Sequence, residues 1–272
     1  MFPDLIDFGF IHIRTYGAFM AVGFLCCWTL LEKLSGRKDL SNLLMALMLS
    51  GIAGARTAYV IEHWRSEFAM NPLNVVRVDQ GGLMFYGGLI AAIVVFLVWC
   101  RIRRESVLST ADLLCTIIPL GHAFGRVGCF FYGCCYGRTV DTAVSVRFPA
   151  HSPAWYEQVN AGLIDSTART SLPVLPTQLI EAAALLVLFA VLLSVYRRFR
   201  KGTAALYLAG YGIIRFGLET LRGDPRVAFF GLSIGQLISI GVVALGIVFA
   251  AACGIFSSGR KDSAAGPSPK SE

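Results

Sequence analysis

Charged side chains are scarce in this sequence. Only 15% of its 272 residues are Asp, Glu, Lys or Arg, whereas 56% are hydrophobic and the mean hydropathy is +0.64. Soluble domains carry about 25% charged residues. The shortage of charge therefore excludes an ordinary soluble globular protein and indicates an all-α integral membrane protein.

Two further features are missing. The first ten residues hold Asp4 and Asp7 but no basic residue, so they do not resemble a cleaved signal peptide. The chain also shows no internal repeat and no separate soluble domain. Because many transporters are built from repeats with interrupted helices in matching halves, the missing repeat argues against a transporter.

Apolar stretches of about 20 residues predict seven membrane-spanning helices. They lie near residues 16–32, 41–61, 82–100, 111–131, 177–196, 203–221 and 230–256. We expect one polytopic membrane domain over residues 1–256. We expect a polar, disordered tail over residues 257–272, because that segment is rich in Ser, Gly, Lys and Pro.

The formal charge of +7 is distributed in a pattern typical of membrane topology. Basic segments follow the first, third, fifth and seventh predicted spans, while the other connections mix both signs. By the positive-inside rule, the N-terminus is periplasmic and the C-terminus cytoplasmic. The long polar segment 138–175, between spans four and five, is then a periplasmic loop. The charge therefore reflects topology, and we expect no nucleic-acid partner.

The segment 121–138 combines features that a plain membrane helix lacks. It reads GHAFGRVGCFFYGCCYGR, with Arg126 inside the predicted span and glycines at short intervals. An arginine near the bilayer centre costs at least ~2.5–3.5 kcal/mol on insertion scales, so it normally faces a polar cavity or a partner. The glycines allow close helix packing or a helix break beside a cavity. The segment therefore predicts a site for an anion.

The sixth predicted span carries a second polar cluster. Tyr211, Arg215, Glu219 and Arg222 are spaced by four, four and three residues, so they share one helix face. Arg215 and Glu219 are placed to form an ion pair one turn apart. Together with Arg126, this stripe predicts a cationic cavity in the outer half of the membrane.

Several other polar residues keep alternative interpretations. Arg56 in span two either joins the cavity or extends to the membrane interface. The glycine pairs at 81–82 and 87–88 bracket Tyr86 and indicate either very tight helix packing or space for a ligand. Glu181, at the start of span five, is interpreted as compensating the helix dipole.

Three of the eight cysteines, Cys129, Cys134 and Cys135, lie in the segment 121–138. Their spacing matches no zinc signature, and His122 is the only histidine near them in sequence. We favour simple packing over a disulfide, which an oxidising compartment would permit, and a disulfide over a metal. We expect neither a metal nor a cofactor.

Taken together, these motifs resemble the bacterial prolipoprotein diacylglyceryl transferase family along nearly the whole chain. The segment 125–138 is similar to the signature of that family. Further similar motifs occur in family order at 14–17, 54–56, 81–88, 176–179 and 211–222. Any one of them would be a weak signal, but the ordered set is specific.

The resemblance implies a seven-span enzyme of the bacterial inner membrane with its active site toward the periplasm. Such an enzyme transfers diacylglyceryl from phosphatidylglycerol to the lipobox cysteine thiol of a prolipoprotein signal peptide, forming a thioether and releasing glycerol phosphate. It implies catalytic roles for Arg126 and Arg215, to which we add Tyr86. We assign substrate binding to Tyr16, Arg56, Gly87, Gly88, Cys129, Gly137, Gln178, Tyr211, Glu219 and Arg222.

The chain departs from the family pattern at two places. Many members carry histidine where Tyr86 stands, and the usual asparagine of the signature is Cys129 here. Because tyrosine, with a pKa of ~10, is a poor base for a thiol, we assign Tyr86 hydrogen bonding and orientation. One alternative is a paralogue that uses the same donor on a different acceptor, with segment 129–135 shaping the acceptor side. Another is a non-enzymatic phospholipid-binding or transport protein.

Overall fold

The computed structural model of the protein describes residues 4–7, 12–77, 81–222, 228–229 and 231–252. Within these residues the chain forms eight α-helices and two short antiparallel strand pairs. The helices are α1 (Thr15–Ser35), α2 (Lys38–His63), α3 (Phe85–Arg103), α4 (Val107–Tyr132), α5 (Pro153–Asn160), α6 (Thr177–Phe199), α7 (Thr203–Glu219) and α8 (Ile234–Ala252). The pairs join β1 (Asp4–Asp7) to β2 (His12–Arg14) and β3 (Ala228–Phe229) to β4 (Leu232–Ser233).

Six helical segments in the described part of the chain are long and apolar enough to cross a membrane. They are Thr15–Ser35, Lys38–Phe68, Phe85–Arg103, Val107–Tyr132, Thr177–Phe199 and Ile234–Ala251. The predicted sixth span corresponds to α7, which is 17 residues long. The all-α membrane class is thus confirmed with six candidate spans. The seventh span and the orientation of the termini stay predictions, and the tail at 257–272 lies outside the described residues.

Helices α3 and α6 end in the same way. Each carries two arginines in its last turn, followed by a left-handed residue, Arg104 (φ 54°) after α3 and Arg200 (φ 58°) after α6. The backbone N–H of each donates to the carbonyl four residues earlier. Positive charge is favourable at the negative end of the helix dipole, so these residues stabilise the helix ends.

Contacts divide the chain into two compact units. One consists of Met1–Cys27 with Ala111–Glu272, and the other is Trp28–Thr110. The boundaries fall inside α1 and α4. The predicted site residues divide accordingly, with those of the α1 start, α4, α6 and α7 in the first unit and those of α2 and α3 in the second.

In the second unit, α2 and α3 pack backbone to backbone. A Cβ added at Gly54 would lie 2.6 Å from the carbonyl oxygen of Gly87, and one added at Gly87 would lie 2.6 Å from that of Gly54. At Gly88 an added Cβ would lie 2.7 Å from the Gly51 carbonyl oxygen. The second glycine pair therefore packs tightly on α2, while the role of Gly87 and Gly88 in substrate binding stays a prediction.

The connection between α4 and α6 has a small core of its own. Phe148, Ala154 and Val174 are fully buried in it, and isolated bridges link its two arms at Val146–Val174 and Pro149–Thr170. Helix α5 begins after Ser152, whose side chain accepts a hydrogen bond from the Trp155 N–H. This connection therefore fixes the positions of the segment that follows α4 and of the segment that precedes α6.

Candidate active site

An ion pair joins α4 to α6 in the first unit. The Nε of Arg126 lies 2.9 Å from Oε2 of Glu181. Only 4% of the Glu181 side chain and 16% of the Arg126 side chain are exposed. A buried charge is costly unless it is paired, so each of the two residues depends on the other. The interpretation of Glu181 as a residue that only compensates the α6 dipole is therefore wrong.

His122 lies one turn before Arg126 on the same face of α4, because the two residues are four apart. Its Nε2 lies 3.6 Å from Oε1 of Glu181. Its ring centroid lies 5.3 Å from that of Tyr211 in α7, and the positive charge of Arg126 also acts on Tyr211. An imidazole, a carboxylate, a guanidinium and a phenol thus meet among α4, α6 and α7.

Arg215 and Glu219 form the ion pair that their spacing predicts. Nη2 of Arg215 lies 2.8 Å from Oε2 of Glu219, whose side chain is only 2% exposed. The Ser233 hydroxyl donates to the other carboxylate oxygen at 3.0 Å, and a Cβ added at Gly235 would lie 2.6 Å from that oxygen. The carboxylate therefore lies against the first turn of α8, where the helix dipole favours negative charge.

The charge of Arg215, whose ion-pair partner is Glu219, also reaches the pair formed by Arg126 and Glu181. The positive charges of Arg126 and Arg215 both interact with Glu181, and both also act on His122. The structure thus brings together residues that the sequence places on three separate helices. We refer to His122, Arg126, Glu181 and Arg215 as the arginine cluster.

The start of α1 packs on the glycines of α4. A Cβ added at Gly128 would lie 3.0 Å from Cδ2 of Tyr16, and one added at Gly125 would lie 3.2 Å from the Met20 sulfur. These glycines let α1 approach α4 closely, as their spacing predicts. Tyr16 of α1 therefore packs against α4 at Gly128, two residues after Arg126.

Two of the predicted substrate-binding residues hold the segment after α4. A Cβ added at Gly137 would lie 2.7 Å from Cγ2 of Thr177 and 2.8 Å from the Leu221 carbonyl oxygen, so only glycine fits there. Gln178 is 1% exposed, and its Nε2 donates to the Cys134 carbonyl at 2.7 Å. The structure shows these framework contacts, while a role in substrate binding stays a prediction.

The three cysteines of the segment 121–138 come together at the end of α4. Their sulfur atoms lie within 4.8 Å of one another, and the seven cysteines that the structure describes are all free thiols. Hydrogen bonding with Cys129 and Cys134 lowers the pKa of the Cys135 thiol, whereas hydrogen bonding with Cys129 and Cys135 raises the pKa of the Cys134 thiol. Arg126 and Arg222 both act electrostatically on Cys135.

In the second unit, Arg56 is buried among backbone carbonyls. Its Nε donates to Val75 O at 2.8 Å, its Nη1 to Gly81 O at 2.8 Å and Gly82 O at 3.1 Å, and its Nη2 to Asn74 O at 2.6 Å. With 9% of its surface exposed, it fixes the segment that leads into α3. Its predicted role in substrate binding stays untested.

Tyr86 is the second residue of α3 and is 58% exposed. Its ring packs edge to face with that of Phe85, with centroids 5.6 Å apart. The chain reaches it through Gly81 (φ 90°) and Gly82 (φ 72°), whose left-handed backbone favours glycine. The first glycine pair therefore serves the turn before α3, and the second pair serves its packing on α2.

A family model described as prolipoprotein diacylglyceryl transferase matches residues 3–252. The chain belongs to this family. It is 32% identical over 269 residues to the phosphatidylglycerol–prolipoprotein diacylglyceryl transferase of Stenotrophomonas maltophilia (strain R551-3), with 90% of each chain covered. Proteins of the same name are 33% identical over 264 residues in Rhodospirillum rubrum, covering 90% of each chain, and 30% identical over 259 residues in Vibrio atlanticus (strain LGP32), covering 90% of this chain and 88% of that one.

Two residues of the arginine cluster in this prolipoprotein diacylglyceryl transferase family member were not predicted as site residues. From the sequence, Glu181 is interpreted as compensating the dipole of its own helix, and His122 is considered only as a neighbour of the cysteines. A signal for His122 was available in its spacing of four residues from Arg126, which places both on one helix face. A carboxyl group just inside an apolar span is a similar signal, because it needs a partner there.

Proposed function

We propose that this protein transfers the diacylglyceryl group of phosphatidylglycerol to a cysteine thiol of a prolipoprotein. The names of its relatives state the lipid donor, the transferred group and the prolipoprotein acceptor, and membership of their family supports this reaction here. The residue roles rest on the arginine cluster, in which Arg126 pairs with the buried Glu181 and the positive charge of Arg215 acts on the same carboxylate.

In this proposal Arg126 and Arg215 bind the phosphodiester of the lipid donor. Glu181 engages Arg126 through Nε, and the planar pair of Nη groups is the part of a guanidinium suited to two phosphate oxygens. Glu219 instead fixes Arg215 through Nη2, so in this proposal Arg215 meets the phosphate through its other nitrogens. As the lipid carbon–oxygen bond breaks, negative charge grows on the departing phosphate, and the two cations stabilise it.

His122 is the proposed proton acceptor. A thiol with a pKa of ~8.5 is only a few per cent ionised at neutral pH, so a nearby base raises the fraction that reacts. The thiol proton passes to a ring nitrogen of His122, and Glu181, 3.6 Å from that ring, offsets part of the repulsion that Arg126 and Arg215 exert on the resulting imidazolium. The sulfur bonds to the glyceryl CH₂ carbon, the bond from that carbon to the phosphate oxygen breaks, and glycerol phosphate leaves with the electron pair.

The remaining predicted residues have proposed roles in binding the substrates. We propose that Tyr86 orients a substrate by hydrogen bonding and that Tyr16, Tyr211 and Arg222 contribute to the donor site. The acceptor is the lipobox cysteine of a signal peptide. We further propose seven spans in the bacterial inner membrane with the site opening toward the periplasm, because the basic segments alternate along the chain.

The deciding experiment uses the purified full chain with phosphatidylglycerol and a lipobox peptide. We expect the thioether-linked diacylglyceryl peptide by mass spectrometry together with an equal amount of glycerol phosphate. A second candidate, transfer to a different acceptor, is favoured by Tyr86 and by the three cysteines at the family signature. Glycerol phosphate without the thioether would favour that candidate. Lipid binding with neither product would favour a non-enzymatic role.

A further inference from the structure

The thiols of Cys129, Cys134 and Cys135 lie close together in the first unit. All three sulfur atoms lie within 4.8 Å of one another and are partly buried. Cys129 comes from the last turn of α4, and the chain then reverses at Gly133 (φ 84°), which brings the other two cysteines back toward it. Cys134 and Cys135 have no part in the proposed transfer, so their convergence needs another explanation.

The backbone that carries these thiols is fixed from outside the cluster. The Gln178 amide donates to the Cys134 carbonyl at 2.7 Å, and the Thr177 hydroxyl donates to the Cys135 carbonyl at 2.9 Å. Both donors are at the buried start of α6, with 1% and 4% of their surfaces exposed. Supporting hydrogen bonds of this kind orient ligands before a metal binds.

We propose that Cys129, Cys134 and Cys135 form a binding site for one Cu⁺ ion. Metal–thiolate bonds are ~2.3 Å long, which places the sulfur atoms of one site a little under 4 Å apart. The observed spacing reaches that value by small side-chain rotations. A disulfide requires sulfur atoms ~2.05 Å apart and joins only two of the three.

The number and type of ligands select the ion. Thiolates favour Cu⁺ and Zn²⁺, and structural Zn²⁺ takes four ligands. Among the residues that the structure describes, only the three cysteines form this group, with no carboxylate or imidazole completing it. Three sulfur ligands satisfy Cu⁺. Binding replaces three S–H protons and gives a group with a net charge of −2, which the nearby positive charges of Arg126 and Arg222 favour.

The test is a Cu⁺ titration of the purified full chain, reduced with a phosphine and stripped of metal, in competition with a chromophoric Cu⁺ chelator. We expect one Cu⁺ per chain, an ultraviolet thiolate-to-copper charge-transfer band and three sulfur neighbours by X-ray absorption. Each single variant, Cys129→Ser, Cys134→Ser or Cys135→Ser, should weaken binding by more than about 100-fold, beyond the loss of an outer supporting contact.

Matched controls are Cys26→Ser and Cys115→Ser, which change partly buried cysteines outside the cluster and should keep wild-type Cu⁺ affinity. Copper bound equally well by the three cluster variants would overturn the proposal. So would a wild-type X-ray absorption spectrum without three sulfur neighbours, a result that does not depend on how the variants fold. Because the readout is binding, the outcome is independent of whether the chain performs diacylglyceryl transfer.

Discussion

At Arg126 a single side chain both binds Glu181 and faces the proposed phosphate. We expect Arg126→Ala and Arg215→Ala each to reduce diacylglyceryl transfer by at least roughly 100-fold, the scale of losing one preorganised charge-stabilising donor. Lysine at either position should restore little activity, because an ammonium cannot reproduce the planar fork. The measurement is thioether product per amount of membrane-inserted protein.

Arg169→Ala is the control for this pair, since Arg169 is an exposed arginine of the loop after α4 and should retain wild-type transfer. Removing Arg126 also leaves Glu181 buried without its ion-pair partner. If Arg126→Ala inserts poorly, the double variant Arg126→Ala/Glu181→Gln removes that unpaired charge. Transfer near the wild-type rate in an alanine variant would remove that arginine from the mechanism.

His122 gives a prediction for the proton. His122→Gln should slow transfer by roughly 100-fold or more at neutral pH, as for loss of a general base. The remaining rate should then rise with pH as the acceptor thiol ionises, up to its pKa of ~8.5. The wild type should show a weaker dependence over that range. An unchanged pH–rate profile in His122→Gln would show that imidazole does not accept the proton.

Tyr86 stands where many family members carry histidine, and its expected role is orientation. Tyr86→Phe should lower transfer by roughly 10- to 100-fold, the effect of one lost hydrogen bond to a charged group (~1.5–3 kcal/mol). Tyr86→His should stay active, because it restores the side chain of those relatives. Complete loss of transfer in Tyr86→Phe would instead indicate that the phenol moves the proton.

The residue pairs show what sequence alone reveals. Arg215 and Glu219 lie on one helix, so their spacing was enough to predict the ion pair. Arg126 and Glu181 lie on two helices, and the sequence of neither helix reveals that α4 packs against α6. The spacing of His122 from Arg126 places both on one helix face, but the carboxylate 3.6 Å from its ring comes from α6, which the sequence of α4 does not reveal.

Helices as units were predicted closely, because hydropathy and length constrain them strongly in a membrane. The predicted span 177–196, for example, corresponds to α6 at Thr177–Phe199. Less was predicted for the connection between α4 and α6, whose folding depends on buried contacts such as Phe148 against Val174. The glycines of α2 and α3 are visible in the sequence, but only the geometry shows that they bring the two backbones into contact.

Glycine packing between α2 and α3 gives a prediction at this scale. Gly54→Ala should lower the thermal unfolding midpoint, because its Cβ would lie 2.6 Å from a backbone oxygen that has little room to move. Gly241→Ala, in α8, is the matched control, since an added Cβ there meets no atom within 4 Å. Alanine forms helix better than glycine, so the control should be neutral or slightly stabilising. Equal midpoints for the two variants would contradict the packing argument.

At the scale of the whole molecule, the number of spans determines which side of the membrane each connection faces. With α7 as a seventh span, the loop after α4 and the C-terminal tail lie on opposite sides, because three spans separate them. Ser166 is exposed in that loop and Ser263 lies in the tail, so Ser166→Cys and Ser263→Cys are conservative reporter substitutions.

The test is labelling with a membrane-impermeant maleimide. In cells whose outer membrane has been removed, the reagent should label Ser166→Cys, whereas Ser263→Cys should react only in inverted vesicles. Wild-type protein provides the background from the native cysteines. If both variants are labelled from one side, the spans between them are even in number, α7 does not cross, and the periplasmic direction of the arginine cluster has to be abandoned.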